Sequence, residues 1–136
     1  MDWAEEVLKL IREAAEGRKV YDGQPDEKLE DRPDVHVIVD IHVPQIEETT
    51  VAPTFDREVV QWQIRVIVRS GAEYTRDDAA WAARWTSRKI RDYLIRRRLR
   101  PGGELISQEL EDGMVDDQAI VSHSTAIEVT QYRAKV

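Results

Sequence analysis

Residues 58–69 read EVVQWQIRVIVR. Val60, Trp62, Ile64, Val66 and Val68 recur at every second position, with Gln61, Gln63, Arg65 and Arg69 between them. Side chains of a strand alternate between its two faces, so the pattern predicts a long strand with one buried and one polar face. Ser70-Gly71 ends it. Such a strand needs neighbours on its edges and a cover on its apolar face.

Upstream, residues 35–43 read VHVIVDIHV. Val35, Val37, Val39, Ile41 and Val43 share one face; His36, Ile38, Asp40 and His42 share the other, expected to be polar or partly exposed. Pro44 ends this second strand. The segment PQIEETTVAPTFD then reads as a loop of about a dozen residues or as a ragged hairpin, and loops of that length are often functional. Before the strands, Trp3, Val7, Leu10, Ile11, Ala14 and Ala15 recur at helical spacing. Asp2 with Glu5 suits a capping box, and Gly17 suits a helix stop. Val20-Tyr21 adds a short extended segment, Asp22-Gly23 with Pro25 marks a turn, and DEKLEDRPD reads as a loop.

Downstream, TRDDAAWAARWTSRKIRDYLIRRRLR, residues 75–100, reads as one helix. Thr75 with Asp78 forms a capping box, and Asp77 and Asp78 lie at the positive helix end. Pro101-Gly102-Gly103 stops it. Leu105, Ile106 and Leu110 begin another strand, with a turn at Asp112-Gly113 or at Asp116-Asp117. Residues 118–133 return as a long strand, with Ala119, Val121, Ile127 and Val129 on one side. The expected fold is a single α+β domain over residues 1–136: a mostly antiparallel β-sheet packed by two α-helices, in the order α-β-β-α-β-β with one more short strand early.

Composition narrows the function. A chain of 136 residues buries a real core without staples. Cysteine is absent, which excludes disulfides, zinc knuckles and thiol nucleophiles. No apolar run approaches the roughly 20 residues that cross a bilayer, and MDWAEEVLKL carries acids where a signal peptide carries bases, so a cytosolic product is expected. The net charge of −7 argues against a free-standing duplex binder. The charge is also uneven. Eight bases and one acid, Asp92, lie between Arg84 and Arg100, and six acids and no base lie between Glu104 and Asp117.

No reactive cluster emerges. His36 and His42 on one strand face stand roughly 20 Å apart at strand rise, too far to share a metal. Ser122-His123-Ser124 places a serine beside a histidine, but strand neighbours point to opposite faces. The acids Glu109, Glu111, Asp112, Asp116 and Asp117 lack EF-hand spacing and read as a solvated or partner-facing surface. GxGxxG, P-loop, HExxH and GxSxG motifs are absent, so neither an enzyme nor a cofactor or metal is expected.

The helix wheel of residues 75–100 is more informative. At about 100° per residue, Ala79, Ala82, Ala83, Thr86, Ile90, Tyr93 and Leu94 form a core face. Trp81 and Trp85 lie opposite, continued by Arg88, Asp92, Ile95 and Leu99. That second stripe predicts another cover: an adjacent subunit, or packing within the chain against Trp3 or residues 44–57. Tryptophan and arginine are the residues most enriched at interface hot spots. Arg96, Arg97, Arg98 and Arg100 suit the helix dipole, a contact with acidic residues 104–117 of an adjacent subunit, or a nucleic-acid backbone.

The element order, with Val20-Tyr21-Asp22-Gly23 and Pro25, the strand 59–69, and Ile90-Arg91-Asp92-Tyr93-Leu94, resembles the tail-terminator and tail-completion proteins of long-tailed bacteriophages, which include head–tail joining proteins. The resemblance spans nearly the whole chain. It implies a structural virion assembly protein that forms a homo-oligomeric ring, a hexamer, on the last ring of the tail tube. The ring stops tube elongation and presents the surface that joins the head. The implied partners are further copies of this chain, the tail tube protein and a head–tail connector or neck protein. DNA only passes through the lumen, with no membrane and no cofactor. The implied location is the tail or neck of the virion, after assembly in the host cytoplasm. Trp81, Trp85 and the acidic/basic split have no counterpart in that pattern. A head-completion or connector protein is the alternative within phage; a small nucleic-acid-associated domain using Arg96–Arg100 is the alternative outside it. A head-to-tail ring contact pairs different patches of one chain, and a basic helix end meeting an acidic hairpin suits it.

Overall fold

The computed structural model describes residues 3–41, 45–48, 55–71, 74–96 and 104–134, and the structural statements below concern those residues. Helix α1 spans Trp3–Ala14 and strand β1 Lys19–Asp22; a 3-10 turn covers Leu29–Asp31. Strands β2 (Val35–Ile41), β3 (Gln45–Glu48) and β4 (Phe55–Arg69) follow, then helix α2 (Arg76–Arg96) and strands β5 (Glu104–Val115) and β6 (Gln118–Ala134). The α+β class is as expected. The short early strand expected at Val20-Tyr21 forms as β1, and the order departs from the expected one by a further short strand, β3, which makes it α-β-β-β-β-α-β-β.

The strand read from EVVQWQIRVIVR lies at the middle of the sheet, whose order is β1-β2-β4-β6-β5, with β3 also paired to β4. Antiparallel register runs Val37 to Val66 on one side of β4 and Val66 to His123 on the other. The two-sided pairing explains the length of the apolar alternation, because a central strand has no free edge to guard. Within the expected loop or ragged hairpin, residues 45–48 pair antiparallel with residues 56–59, Gln45 opposite Val59 and Glu48 opposite Asp56, while residues 44 and 49–54 lie outside the described residues. Strand β1 runs parallel to β2, Val20 opposite Val37, so one sheet edge departs from the antiparallel pattern.

The turn between β5 and β6 lies at Asp116-Asp117, with φ of 49° and 62°. Val115 pairs with Gln118 across it. Two positive-φ residues between paired strands match the twist of a two-residue hairpin, and aspartate tolerates that conformation better than most residues. Gly17, at φ 84°, ends α1 as its position predicts. The Thr75 hydroxyl accepts the Asp78 amide N–H at 3.2 Å, so the cap of α2 forms as expected. Asp2 of the proposed α1 cap lies outside the described residues.

Both helices pack on one face of the sheet. Val7, Ile11 and Ala14 of α1 and Ala79, Ala83, Ile90 and Leu94 of α2 meet Val37, Val39, Trp62, Ile64, Val66, Val68, Val121 and Ile127. The small residues at the start of α2 bring it close to the sheet, and the larger ones fill the gap beyond. A Ser87–Thr125 hydroxyl hydrogen bond of 3.0 Å joins α2 to β6 inside this layer.

The opposite face carries a second, smaller core of Leu29, Ile38, Ile67 and Ile120, flanked by Tyr21 and Val115. This corrects the expectation that the His36–Ile38 face is polar or partly exposed: both residues are buried. The cover is the 3-10 turn, which drops Leu29 onto the sheet. It is tied there by long-range bonds. The Asp116 carboxylate accepts the Leu29 amide N–H at 2.9 Å. The Arg69 guanidinium donates to the Arg32 carbonyl at 2.7 Å and pairs with Asp34 at 2.9 Å. Arg32 in turn donates to the Glu27 carbonyl at 2.9 Å.

A candidate interaction surface on helix α2

The outer face of α2 follows from its wheel. With Ala79, Ala83, Thr86, Ile90 and Leu94 buried against the sheet, Trp81 and Trp85 are turned away from it. They are 66% and 50% exposed. Among the described residues nothing covers them; the side chain of Trp3 and residues 44 and 49–54, the other expected cover, lie outside what the structure describes. The two indoles stack on each other, ring centroids 5.8 Å apart and planes 4° from parallel. Stacking at one helical turn holds both rings in one orientation and makes one contiguous apolar patch of them, a two-ring plate.

Two grooves flank the plate, and Trp85 lines both. One, of about 400 Å³, runs between the end of α1 and α2 and is lined by Glu16, Trp85, Arg88, Lys89, Asp92 and Arg96, among others. The other, of about 350 Å³, is lined by Arg18, Val35, Tyr74, Asp78, Trp81 and Trp85, among others. In the first groove the acids are already engaged: Glu16 accepts from Lys89, and Asp92 lies 3.8 Å from Arg88 and 3.2 Å from Arg91. Tyr93 donates to Glu13 at 2.8 Å and closes the α1 side. The groove therefore presents Arg88 and Arg96 beside an indole, the mixture that interface hot spots favour.

The acidic residues named from the sequence divide into two groups. Glu109 and Glu111 share one face of β5, both exposed. Their hydrogen bond and mutual repulsion push the Glu109 carboxyl above the usual carboxylate range. Asp112 is on the other face, gripped by Arg76, whose hydrogen bonds hold its carboxyl below that range. Asp116 holds the Leu29 amide, and Asp117 is exposed at the turn. Of the expected basic residues, Arg88 and Arg96 are exposed on α2, while Arg97, Arg98 and Arg100 lie outside the described residues.

One exposed residue escaped the sequence reading. Met114 is 65% exposed on the helix-side face of β5, opposite Ala119. It lies just past Asp112, which is where α2 begins, so no helix covers it. The only available signal was its place next to the turn, and a methionine there reads equally well as core.

The two described histidines do not converge. The His36 ring Nδ1–H donates to the Pro33 carbonyl at 3.0 Å, with Tyr21 edge-on at 5.7 Å and Nε2 buried without a hydrogen-bond partner. Burial, with Arg32, Arg69 and Arg65 nearby, lowers its pKa. His123 is on the helix-side face beneath Arg84 and Arg91, and burial and those charges lower its pKa too. Its neighbours Ser122 and Ser124 pair on the opposite face, so no serine–histidine pair forms. His42 lies outside the described residues. Among the described residues no group of three His, Asp or Glu side chains is placed to hold a metal ion, and no helix is long and apolar enough to cross a membrane.

Comparison with protein-family models and with curated proteins finds no match to this sequence.

Proposed function

We propose that this chain is a structural assembly protein that joins copies of itself into a ring, and that the ring caps a phage tail tube. In this reading it ends tube elongation and offers the surface to which a head–tail connector or neck protein binds. The observation that carries the assembly reading is the stacked, exposed Trp81–Trp85 plate beside Arg88 and Arg96. An apolar patch of two large aromatic rings is disfavoured on a surface that only water covers. The resemblance in element order and in Val20-Tyr21-Asp22-Gly23 and Ile90-Arg91-Asp92-Tyr93-Leu94 supports the tail-terminator role. The net charge of −7 supports a lumen through which DNA passes without being gripped.

The test is assembly with a tail tube protein. Electron microscopy of the mixture should show six-fold rings seated on tube ends, and tubes that no longer lengthen. Unchanged tube growth, together with a chain that stays monomeric at high concentration, would discard the reading.

A further inference from the structure

Among the described residues, three large apolar side chains are exposed: Trp81, Trp85 and Met114. They form two patches on different elements. The tryptophans make a stacked two-ring plate on the outer face of α2; Met114 stands as a knob at the end of the β5–β6 hairpin. We infer that the hairpin knob of one copy seats on the tryptophan plate of the next. The inference rests on the ring reading above and names its contact.

Charge selects a second copy as the occupant. Within three residues of Met114 lie Glu111, Asp112, Asp116 and Asp117, all exposed; Asp112 shares its face, Glu111 lies on the other face of β5 and Asp116 holds the Leu29 amide, and among the described residues only Asp112 has a basic partner. Beside the plate lie Arg18, Arg84, Arg88 and Arg96; Glu16 is paired with Lys89, Asp92 with Arg91 and Arg88, and Asp78 lines the second groove, so bases outnumber acids around the indoles. A hairpin end of net negative charge, with the thioether on it, thus meets a mainly basic surround of two indoles. A methionine sulfur packs favourably against an aromatic ring, and surrounds of opposite sign steer the two patches together and reject like-charged neighbours.

The backbone that carries the knob is also held before it binds. The Asp116 bond to the Leu29 amide and the Arg76 clamp on Asp112 fix the hairpin end, so little ordering opposes docking. Because plate and knob are different patches of one surface, the contact is head-to-tail, and it propagates until the rotation closes.

Two blocked variants test this. Trp81→Ala with Trp85→Ala removes the plate, and Met114→Lys removes the knob and places a base against the mainly basic surround. Each site is exposed, so both variants should fold; circular dichroism and the thermal midpoint check that. In sedimentation velocity each variant alone should be monomeric, its self-association weakened by at least about tenfold. Mixed one to one, they should form a heterodimer and nothing larger, because one intact plate meets one intact knob. Native mass spectrometry reads the composition directly.

The outcomes separate the two claims. A mixture that stays monomeric, or a Met114→Lys variant that still forms rings, overturns the plate-and-knob contact while a wild-type ring stands. Heterodimers from the mixture, with wild-type chains that form open filaments, keep the contact and discard the ring. Wild-type chains that are monomeric at every concentration overturn both.

Discussion

Arg76 and Asp112 are joined by two parallel hydrogen bonds, Nε to Oδ1 at 2.9 Å and Nη2 to Oδ2 at 3.0 Å. The pair ties the first turn of α2 to the edge strand of the sheet, 36 residues away in sequence. Fork-to-carboxylate geometry fixes orientation as well as distance. Both groups are half exposed or more, so the pair positions the hairpin end more than it stabilises the fold. Replacing Asp112 by Asn should leave the thermal midpoint nearly unchanged and speed amide exchange around residues 112–118. Hydrogen exchange read by mass spectrometry checks this, and protection unchanged from wild type would refute it. High salt should mimic the substitution in part.

Burial lowers the His36 pKa below its ordinary value of 6.5. The unfolded chain then binds a proton more readily than the folded one as pH falls below that value. Stability from the neutral imidazole is fully present above about pH 6.5, the ordinary histidine value, and declines as pH falls through the folded pKa. Urea midpoints measured between neutral and mildly acidic pH should fall with pH, more shallowly in His36→Gln. Because His123 is shifted the same way, that variant should reduce the slope without abolishing it.

Leu94 and Ile67 stand in the two different cores and are both buried. Leu94→Ala should destabilise the fold by about 2–5 kcal/mol, since the cavity adds to the lost transfer energy. Ile67→Ala should fall in the same range of about 2–5 kcal/mol, although its side chain faces away from both helices. A loss under about 0.5 kcal/mol at Ile67, typical of an exposed site, would mean that the 3-10 turn does not cover it. Chemical denaturation measures both.

The buried Ser87 and Thr125 hydroxyls satisfy each other at 3.0 Å. Thr125→Val leaves Ser87 unpaired and should destabilise by about 1–3 kcal/mol. Adding Ser87→Ala should recover part of that loss, because no orphaned hydroxyl remains. A double-mutant cycle by denaturation reads the coupling, and strict additivity would show that the two hydroxyls do not interact.

Trp81 and Trp85 are exposed, so replacing both by Ala should change stability by no more than about 0.5 kcal/mol per site. The same substitutions should lower self-association. A large stability loss in a monomeric sample would instead reveal intrachain packing of the indoles.

The helix-side core was legible because it repeats. Val66, Val68 and Ile64 alternate, and Ala83, Ile90 and Leu94 recur at helical spacing; each pattern reports one local geometry. The same alternation misled at His36, Ile38 and Ile67. Local spacing says that they share the far face, but not that Leu29 folds over it through a bond to Asp116, 87 residues on. Likewise, the acidic run could be read as a surface. That Asp112 faces Arg76, Asp116 holds an amide and Glu109 faces Glu111 depends on strand parity and on where α2 starts.

By itself the sequence determined the strand and helix periods, the α2 cap and the core face of each long element. It also placed Trp81 and Trp85 opposite the core of α2. These follow from nearest-neighbour geometry, which a few consecutive residues specify. Only the tertiary structure decided the strand order, the parallel β1 edge and the second core beneath the 3-10 turn. It alone left the indoles stacked and uncovered and brought Met114 out past the start of α2. What covers a side chain comes from segments far away along the chain, and no local period encodes which segment arrives.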